Sequence, residues 1–580
     1  MKFLNKVQFT LCLILATAMV HAQTDNEVQG TGTGGNISSG DFNTLYGDSC
    51  GVNLTFGSRN VFLGYQAGYS EDGGSGHIFI GYQAGYTHNG GADNIFIGMD
   101  AGRLATTPQD NVFIGTEAGE NLTDCVDNIF IGEEAGTTNT TGRNNVFIGE
   151  DAGFDNTTGE ANVFIGEDAG ANNTTGSGNV GVGSDVISAL LDVALDIGVG
   201  SSDYSAFGDA PLFDVTTGVG NTALGSSAGT DIGTANYNTM IGVAAGGYTE
   251  HAGYNTFIGA YAGWDNNRTN ATTNARYNTY VGFGTGGSSR EGEYNVGMGF
   301  NADFDFPDGN SRTVFIGADA VVDADDIVVL GYAAEGWGTN SISIGAYAEG
   351  RGENSVGIGY AVNLAAAADH SVAIGPQADV DEDSTVAVGA YSRVTAEQGT
   401  ALGAGSTVSG ENSMAIGYSA QVIANHEIYF GNAATNSIGG TVNWTATSDR
   451  RFKTQLRENV PGLAFINQLR PVTYQLHGDR ILQHRGQAVP PALKAAFAKQ
   501  HQRRYSGFIA QEVEQAAQAI GYDFSGVDAP KNGRTTYGLR YAEFVVPLTK
   551  AVQELSDKND QLTKDSQTNQ QQAQAMRHQE

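Results

Sequence analysis

A five-residue pattern of polar and apolar positions recurs along most of the chain. It consists of asparagine, an apolar residue, a variable residue, a second apolar residue and glycine, as in NVFIG at residues 145–149. Copies follow one another at intervals of 17 residues, with longer steps before Asn221 and Asn278. A fixed interval of this length is typical of a solenoid built from repeated turns. The copies begin at Asn43, Asn60, His77, Asn94, Asn111, Asn128, Asn145, Asn162, Asn179, Asp196, Asn221, Asn238, Asn255, Asn278 and Asn295.

The interval shortens in the next part of the chain. From Thr313 the copies are 14 residues apart, except for one step of 16 between Ser355 and Ser371. We therefore predict a solenoid of 17-residue turns at residues 43–312 and one of 14-residue turns at residues 313–432. The shorter copies begin at Thr313, Ile327, Ser341, Ser355, Ser371, Thr385, Gly399, Ser413 and Glu427.

Each copy predicts one short β-strand followed by a corner. In a strand, positions two and four share one face and position three lies on the other. We expect Val146, Ile148 and their equivalents to form a continuous core when parallel turns stack about 4.8 Å apart. The third position then forms an exposed aromatic stripe, which we predict to contact neighbouring subunits. The stripe comprises Phe79, Phe96, Phe113, Phe130, Phe147 and Phe164.

The first residues predict export. Basic residues precede a mostly apolar run at residues 9–20, and the sequence ending at Ala22 suits a signal peptidase. We predict a signal peptide at residues 1–22, a lead-in at residues 23–42, and a mature protein that is secreted or displayed on the cell surface. No later stretch is apolar enough to span a membrane.

Composition and charge divide the chain into two parts. Glycine accounts for 82 of 580 residues and apolar residues for 40%, which excludes simple disorder and indicates an extended fold with many corners. Residues 1–447 contain 11 Lys and Arg against 50 Asp and Glu, whereas residues 448–580 contain 18 against 13. An acidic exported body argues against nucleic acid as a partner, and we interpret its acidic residues as solvated surface.

Neither a disulfide nor a metal or cofactor site is predicted. Cys50 and Cys125 lie more than four turns apart, about 20 Å along a solenoid axis, which no disulfide spans. Acidic turns such as Glu150-Asp151 and Glu167-Asp168 are candidates for calcium binding. However, adjacent carboxylates on a strand point apart, so we favour solvated side chains.

The 14-residue copies resemble a known family. The segments NSISIGAYAEGRGE (residues 340–353) and SVAIGPQADVDEDS (residues 371–384) are similar to the head repeats of YadA-like trimeric autotransporter adhesins. The resemblance implies a trimeric, left-handed parallel β-roll and a role in surface attachment. It extends more loosely to the 17-residue copies.

The last part of the chain resembles a second family. After a linker at residues 433–447, three blocks follow in order: SDRRFK from Ser448, LRPVTY from Leu469, and GFIAQE from Gly507. Within residues 448–562 they resemble the C-terminal intramolecular chaperone domain of phage endosialidases and other tail spikes. The resemblance implies a domain that trimerises, assists folding of the upstream fibre and then cuts itself off before the first serine.

The implied cleavage site is the Thr447–Ser448 bond, and the implied chemistry is a Ser–Lys dyad of Ser448 and Lys453. A lysine can serve as the base only where burial or nearby cations lower its pKa. Arg450 and Arg451 are close enough in sequence to contribute such repulsion. Without the resemblance, the spacing alone would favour an ordinary surface turn.

The remaining polar candidates have no assigned step. Three histidines of the insertion at residues 477–504 are expected to be solvent-exposed rather than catalytic: His477, His484 and His501. Gln511 and Glu512 are candidate supporting residues.

An apolar seam with alternating spacings of three and four predicts a C-terminal helix that forms a coiled coil, with one polar position at Asn559. The alternative is that this helix packs on the chaperone's own core. We predict disorder for residues 563–580. The seam comprises Val545, Leu548, Val552, Leu555, Asn559 and Leu562.

The predicted fold is mainly β: a trimeric parallel β-roll or β-solenoid fibre with a small C-terminal α+β chaperone domain. The predicted function is that of an exported homotrimeric, adhesin-like surface fibre that cleaves itself once and has no activity on external substrates. Its candidate external partner is a host-cell, matrix or glycan receptor. The alternatives are a tail-spike-like fibre that binds or degrades polysaccharide and a purely structural spacer. Trp264 and Trp337 are isolated, without the paired carboxylates of a glycosidase cleft.

Overall fold

The computed structural model of the chain describes residues 25–187, 205–267, 274–305, 309–442 and 444–577. These residues form two compact units, divided between Ala361 and Val362. The predicted signal peptide lies outside the described residues. None of the described helices combines the length and the apolar character needed to cross a bilayer.

The first unit is a coil of short parallel strands. Each strand of its main ribbon has three residues and pairs in register with those of adjacent turns, so that Val146–Ile148 lies beside Val163–Ile165. A three-residue strand is too short to be stable alone, and each turn therefore depends on its neighbours. The strands are Glu27–Gln29, Thr44–Tyr46, Val61–Leu63, Ile78–Ile80, Ile95–Ile97, Val112–Ile114, Ile129–Ile131, Val146–Ile148, Val163–Ile165, Val180–Val182, Ser205–Phe207, Thr222–Leu224, Thr239–Ile241, Thr256–Ile258, Thr279–Val281, Val296–Met298, Val314–Ile316, Val328–Leu330, Ile342–Ile344 and Val356–Ile358.

A ladder of buried asparagines joins successive 17-residue turns. The backbone N–H of Asn145 donates to Oδ1 of Asn128 at 3.0 Å, and that of Asn162 donates to Oδ1 of Asn145 at 2.9 Å. Nδ2 of Asn145 donates to the carbonyl oxygen of Gly159 at 2.9 Å. A buried amide costs free energy unless its hydrogen bonds are made. A polar residue is tolerated at the first position of the motif because the adjacent turns supply the hydrogen bonds of its buried amide.

The third position of the motif fills the interior of the coil, contrary to the prediction. Phe147 and its equivalents are fully buried. The rings of Phe96 and Phe113 stack with centroids 4.7 Å apart, and those of Phe147 and Phe164 with centroids 5.2 Å apart. Val146, predicted to be in the core, is half-buried on the outer face together with Ile148. The predicted assignment of the two faces was wrong.

Close contacts at two glycines explain this reversal. Gly149 has a φ of 144°, and a Cβ there would lie 2.1 Å from the carbonyl oxygen of Gly166. Gly153 has a φ of 63°, and a Cβ there would lie 2.6 Å from the Phe147 ring. The backbone of each turn therefore passes directly over one ring. The interior has no room for a second large side chain, so the β-branched residues face outward.

Two turns of the coil lack the full motif and were not predicted. Glu27–Gln29 pairs with Thr44–Tyr46, and Asn26 Oδ1 accepts the N–H of Asn43 at 2.7 Å. The ladder thus begins within the predicted lead-in. Ser205–Phe207 pairs with Val180–Val182. The predicted copy that begins at Asp196 lies outside the described residues.

A second ribbon of two-residue strands accompanies the shorter turns. In the first unit it begins at Asp303–Phe304, before the predicted boundary at residue 313. It brings an apolar side chain inward, such as the fully buried Val322. In the same turn, Phe315 is fully buried as well. The strands of this ribbon are Asp303–Phe304, Val321–Val322, Glu335–Gly336 and Glu349–Gly350.

The second unit opens with further 14-residue turns of the same design. Alanine occupies the inward third position, as at Ala373 and Ala387, and faces buried Val380 and Val394 of the second ribbon. The long strands are Val372–Ile374, Val386–Val388, Thr400–Leu402, Met414–Ile416 and Ile428–Phe430, and the short ones are Asn363–Leu364, Asp379–Val380, Arg393–Val394, Thr407–Val408 and Gln421–Val422.

A small α+β domain completes the second unit. Its core contains Phe465, Val513, Phe524 and Phe544. Two antiparallel strand pairs are Val472–Gln475 with Arg504–Gly507 and Val527–Asp528 with Gly538–Leu539. The α-helices are Leu463–Ile466, Gly478–His484, Lys494–Gln502, Ala510–Ala519 and Val545–Arg577, and the 3-10 helices are Arg450–Phe452, Pro491–Leu493 and Tyr541–Phe544.

The last helix extends further than predicted. Val545–Arg577 continues through residues 563–577, for which the sequence predicted disorder. Glutamine, alanine and lysine have good helix propensity, and the segment contains neither proline nor glycine after Pro547. The prediction relied on the end of the apolar seam, which is not needed for an exposed helix to continue.

Replacement of one inward ring should destabilise the coil locally. We expect Phe113→Ala to cost about 3–5 kcal/mol, because it leaves a cavity between two stacked rings. In hydrogen exchange, protection should fall at Ile95–Ile97 and Ile129–Ile131. The exposed Thr107→Ala should leave that protection unchanged. Equal protection in both variants would contradict the inward position of Phe113.

Candidate functional site

The two residues of the expected dyad lie in contact. Lys453 Nζ donates to Ser448 Oγ at 2.6 Å. The 3-10 helix Arg450–Phe452 between them folds the chain back so that residues five positions apart meet. Asp449 caps this helix by accepting the N–H of Arg451 at 2.8 Å.

The two arginines next to the dyad form contacts with Asp449 and with the backbone of Lys453. The Arg451 guanidinium forms an ion pair with Asp449 (2.7 Å) and thereby lowers the pKa of that carboxyl group. Nη1 of Arg450 donates to the carbonyl oxygen of Lys453 at 3.3 Å. Arg451 is thus held by Asp449, and Arg450 by the backbone of Lys453.

The chain around the dyad is exposed and carries large apolar side chains. Ser448 and Lys453 are themselves exposed, and Trp444 is 82% exposed. Within the described residues of one chain, these side chains project from the surface instead of joining a core. The exposed apolar residues of this segment are Ile438, Val442, Trp444, Phe452 and Leu456.

The second and third sequence blocks contact each other. Arg470 of the second block forms an ion pair with Glu512 of the third, with Nε 3.0 Å from Oε2. This contact joins the end of one antiparallel pair to the first turn of helix Ala510–Ala519. Glu512 therefore positions the blocks and does not contact the dyad. Gln511 is exposed.

Two families match the chain. Residues 448–522 match the family described as chaperone of endosialidase. Residues 366–392 and 395–420 match two copies of the YadA head domain repeat. The chain joins YadA head repeats to an endosialidase-type chaperone domain. No curated protein shows significant similarity to it.

The chaperone domain packs against the end of the head repeats. Nε2 of Gln500 donates to the carbonyl oxygen of Ala433 at 2.8 Å, and Lys531 Nζ lies 2.5 Å from Oε1 of Glu427. The insertion predicted at residues 477–504 is therefore a contact surface. Its apolar cluster contains Ala434, Leu482, Leu493 and Phe497.

The last helix of the chaperone domain carries its apolar seam on the outside. Its buried residues are Pro547 and Ala551, and Leu463 N–H donates to Glu554 Oε2 at 2.7 Å. The helix therefore attaches to the domain by a different face, and the seam stays exposed. The exposed seam residues are Val545, Leu548, Val552, Leu555 and Leu562.

One of two groups with metal-binding composition is a hydrogen-bonded network inside the coil. Glu71, His77 and His88 are fully buried. Glu71 accepts hydrogen bonds from the Gly74 N–H and from Nδ1 of His88. The Asn94 N–H donates to Nδ1 of His77 at 3.2 Å, and Asn94 Nδ2 lies 3.2 Å from Nε2 of His88. Three of the four ring nitrogens therefore take part in hydrogen bonds. Within the described residues, the buried Nε2 of His77 has no hydrogen-bond partner and lies 3.9 Å from Oε2 of Glu71.

Burial and charge oppose one another in this network. Burial acts to raise the pKa of Glu71, but the hydrogen bond and charge of His88 outweigh it, and the pKa is lowered. Burial, reinforced by the charge of His88, lowers the pKa of His77 from 6.5 to about 3. His77 stands in the asparagine ladder and is neutral when folded.

The second group lies in the insertion. His477 and His501 are half-buried on either side of Asp479, with ring centroids 4.3 Å apart. Both were expected to be solvent-exposed, and each is only partly exposed because the two insertion helices pack together. His484 is exposed as predicted.

The acidic turns considered for calcium form a ladder of like charges. Burial, followed by the carboxylates of Asp168 and Glu133 in adjacent turns, raises the pKa of Asp151.

The buried His77 should make the first unit sensitive to acid. Its pKa is lower in the folded chain than in the unfolded chain, so its contribution to stability is present above pH 6.5 and declines below it. Between pH 6.5 and 5 we expect a loss on the order of 1–2 kcal/mol. Glu71 contributes its own loss only below its ordinary pKa of 4.5.

The matched test is His77→Asn, which restores the residue found elsewhere in the ladder. Thermal unfolding between pH 7 and pH 5 should depend less on pH in this variant than in the wild type. The exposed His426→Asn should behave as the wild type does. If the wild type and His77→Asn respond equally to pH, another group is responsible.

Proposed function

We propose that this chain is an exported homotrimeric surface fibre whose C-terminal domain aligns three chains and then cleaves itself from the fibre at the Thr447–Ser448 bond. The observation that carries the proposal is the 2.6 Å contact between Lys453 Nζ and Ser448 Oγ. It lies at the start of the segment that matches the chaperone family.

The contact suits a single intramolecular acyl transfer. Neutral Lys453 takes the proton from Ser448 Oγ, and the oxygen attacks the carbonyl carbon of Thr447. A C–O bond forms, the C–N bond breaks, and the proton passes from Lys453 to the departing amine of Ser448. Water then hydrolyses the ester, which leaves a carboxylate on Thr447 and restores the serine hydroxyl. One event per chain follows, with no turnover on external substrates.

Trimer formation is expected to precede the cut. A lysine acts as a base only where burial or adjacent cations favour its neutral form, and in one chain Lys453 is exposed. The apolar side chains around it, such as Trp444 and Phe452, are exposed as well. A neighbouring copy that covers them would also bury the dyad. Cleavage would thus occur only after the C-terminal domains of three chains have associated.

The head repeats offer a surface for the same association. The second and fourth positions of the long strands form an outward ribbon, which we define by residues such as Val146 and Ile148. In the first unit, Leu224 and Met298 of this ribbon are exposed. A contiguous apolar surface of this kind is typical of an interface. Three such ribbons facing one another would cover each other, which explains why identical turns are repeated.

The family matches favour a surface or extracellular location. We propose attachment to a host-cell, matrix or glycan receptor as the role of the fibre. Binding of the released fibre to cells or glycan arrays distinguishes this role from that of a spacer, for which no binding is expected.

Self-cleavage should depend on both residues of the dyad. The full chain should yield a fragment whose N-terminal residue is Ser448. Ser448→Ala should abolish the cut because it removes the nucleophile. Lys453→Arg should slow it by more than about 100-fold, because general base catalysis contributes about 10²–10⁴-fold and arginine stays protonated. Gel electrophoresis measures the extent of cleavage in each variant, and N-terminal sequencing identifies the first residue of the fragment.

Matched controls lie in the same domain. Ser506→Ala and Lys494→Arg replace exposed residues away from the dyad and should leave the cut unchanged. An uncut wild type, or normal cleavage in Ser448→Ala, would refute the assigned chemistry.

The outward ribbon should lie at the interface between copies. In Ile148→Cys, three thiols would face one another, and mild oxidation should give a disulfide-linked dimer on a non-reducing gel. Thr141→Cys, on an exposed outer turn, should give little disulfide-linked dimer. Native Cys50 and Cys125 should stay unreactive, because burial raises the pKa of each thiol to about 12. Equal cross-linking of both variants would place the interface elsewhere.

A further inference from the structure

We propose that His477, Asp479 and His501 form a binding site for a divalent transition-metal cation of the zinc class. His501 Nε2 lies 2.9 Å and His477 Nδ1 4.0 Å from Oδ1 of Asp479. All three potential ligand atoms lie within 4.8 Å of one another. In a tetrahedral site with bonds of about 2.0–2.1 Å, ligand atoms are roughly 3.3 Å apart. Small side-chain rotations are therefore enough to enclose a cation.

The donor set selects the class of ion. Two imidazole nitrogens and one carboxylate oxygen suit zinc and its neighbours better than the all-oxygen preference of calcium or magnesium. The side chains are 38%, 31% and 30% exposed, in sequence order, so a cation can enter and water can fill the fourth position. Coordination through Nε2 of His501 requires its ring proton to be on Nδ1. The cation then replaces the hydrogen bond between His501 and Asp479.

The backbone that carries the ligands is held in place without a metal. Gln500, which is 3% exposed, precedes His501, and its Oε1 accepts the N–H of Gly478 at 3.2 Å. Gly478 separates the other two ligands and is closely packed, because a Cβ there would lie 2.5 Å from Phe497. This buried contact joins the two ligand-bearing segments. Sites supported in this way lose little freedom when the cation binds.

The position of the site suggests its role. The two insertion helices that carry the ligands also carry the contacts to the end of the head repeats, including that of Gln500 with Ala433. A cation that joins Gly478–His484 to Lys494–Gln502 would brace this contact surface. The role is structural and does not depend on the proposed self-cleavage.

The test is zinc binding by the full chain after treatment with a chelator. Titration calorimetry with Zn²⁺ should give one site per chain, and Co²⁺ should produce a visible absorption band of a tetrahedral site. His501→Ala and Asp479→Asn should weaken binding by more than about 10-fold, since even the loss of an outer partner costs 10–100-fold. Two controls should bind normally: His484→Ala, from the same helix as Asp479, and His370→Ala, whose ring pairs with Asp383 at 3.3 Å.

Three results would overturn the proposal: no stoichiometric zinc, unchanged binding in His501→Ala and Asp479→Asn, or an equal loss in His484→Ala. Circular dichroism without metal identifies a variant that fails to fold. His477→Gln, which changes the most exposed ligand, then decides the question, and retained zinc binding in that variant also overturns the site.

Discussion

Pairing between adjacent turns is the interaction on which the first unit depends. No three-residue strand is stable alone, and each inward asparagine finds its partners in adjacent turns, as Asn145 does with Asn128. The same spacing brings the phenylalanine rings into stacking distance. A residue that departs from the motif must therefore find new partners across turns. Glu71 and His77 do so together with His88, which makes this part of the coil different from the rest.

The narrow interior has a consequence for the outer surface. Because one ring fills each turn, the β-branched residues on either side of it face outward. Apolar side chains are also exposed near Ser448 and along the seam of the last helix. Three separate parts of the chain thus present apolar surface that the chain itself does not cover. The proposed association with other copies of the same chain would cover all three.

Much of the fold follows from the motif, and the errors have physical causes. Periodicity fixed the strands and their parallel stacking, but alternation alone does not tell which face is enclosed. The close approach of Gly153 to Phe147 decides it. The turn at Asn26 was missed because only its third position is apolar. At the candidate site, the pairing of Lys453 with Ser448 was expected from the family resemblance, because the spacing alone favoured an ordinary surface turn. The approach of His501 to Asp479 depends on the packing of two helices and has no local signal.

The packing at the end of the head repeats bears on what hydrolysis would produce. Ala434 precedes the Thr447–Ser448 bond and Phe497 follows it, yet both belong to one buried cluster. Breaking that bond changes chain connectivity but removes none of these contacts. The immediate product of the proposed cut would be a nicked, two-chain complex, and its lifetime would be set by a dissociation rate rather than by the chemical step.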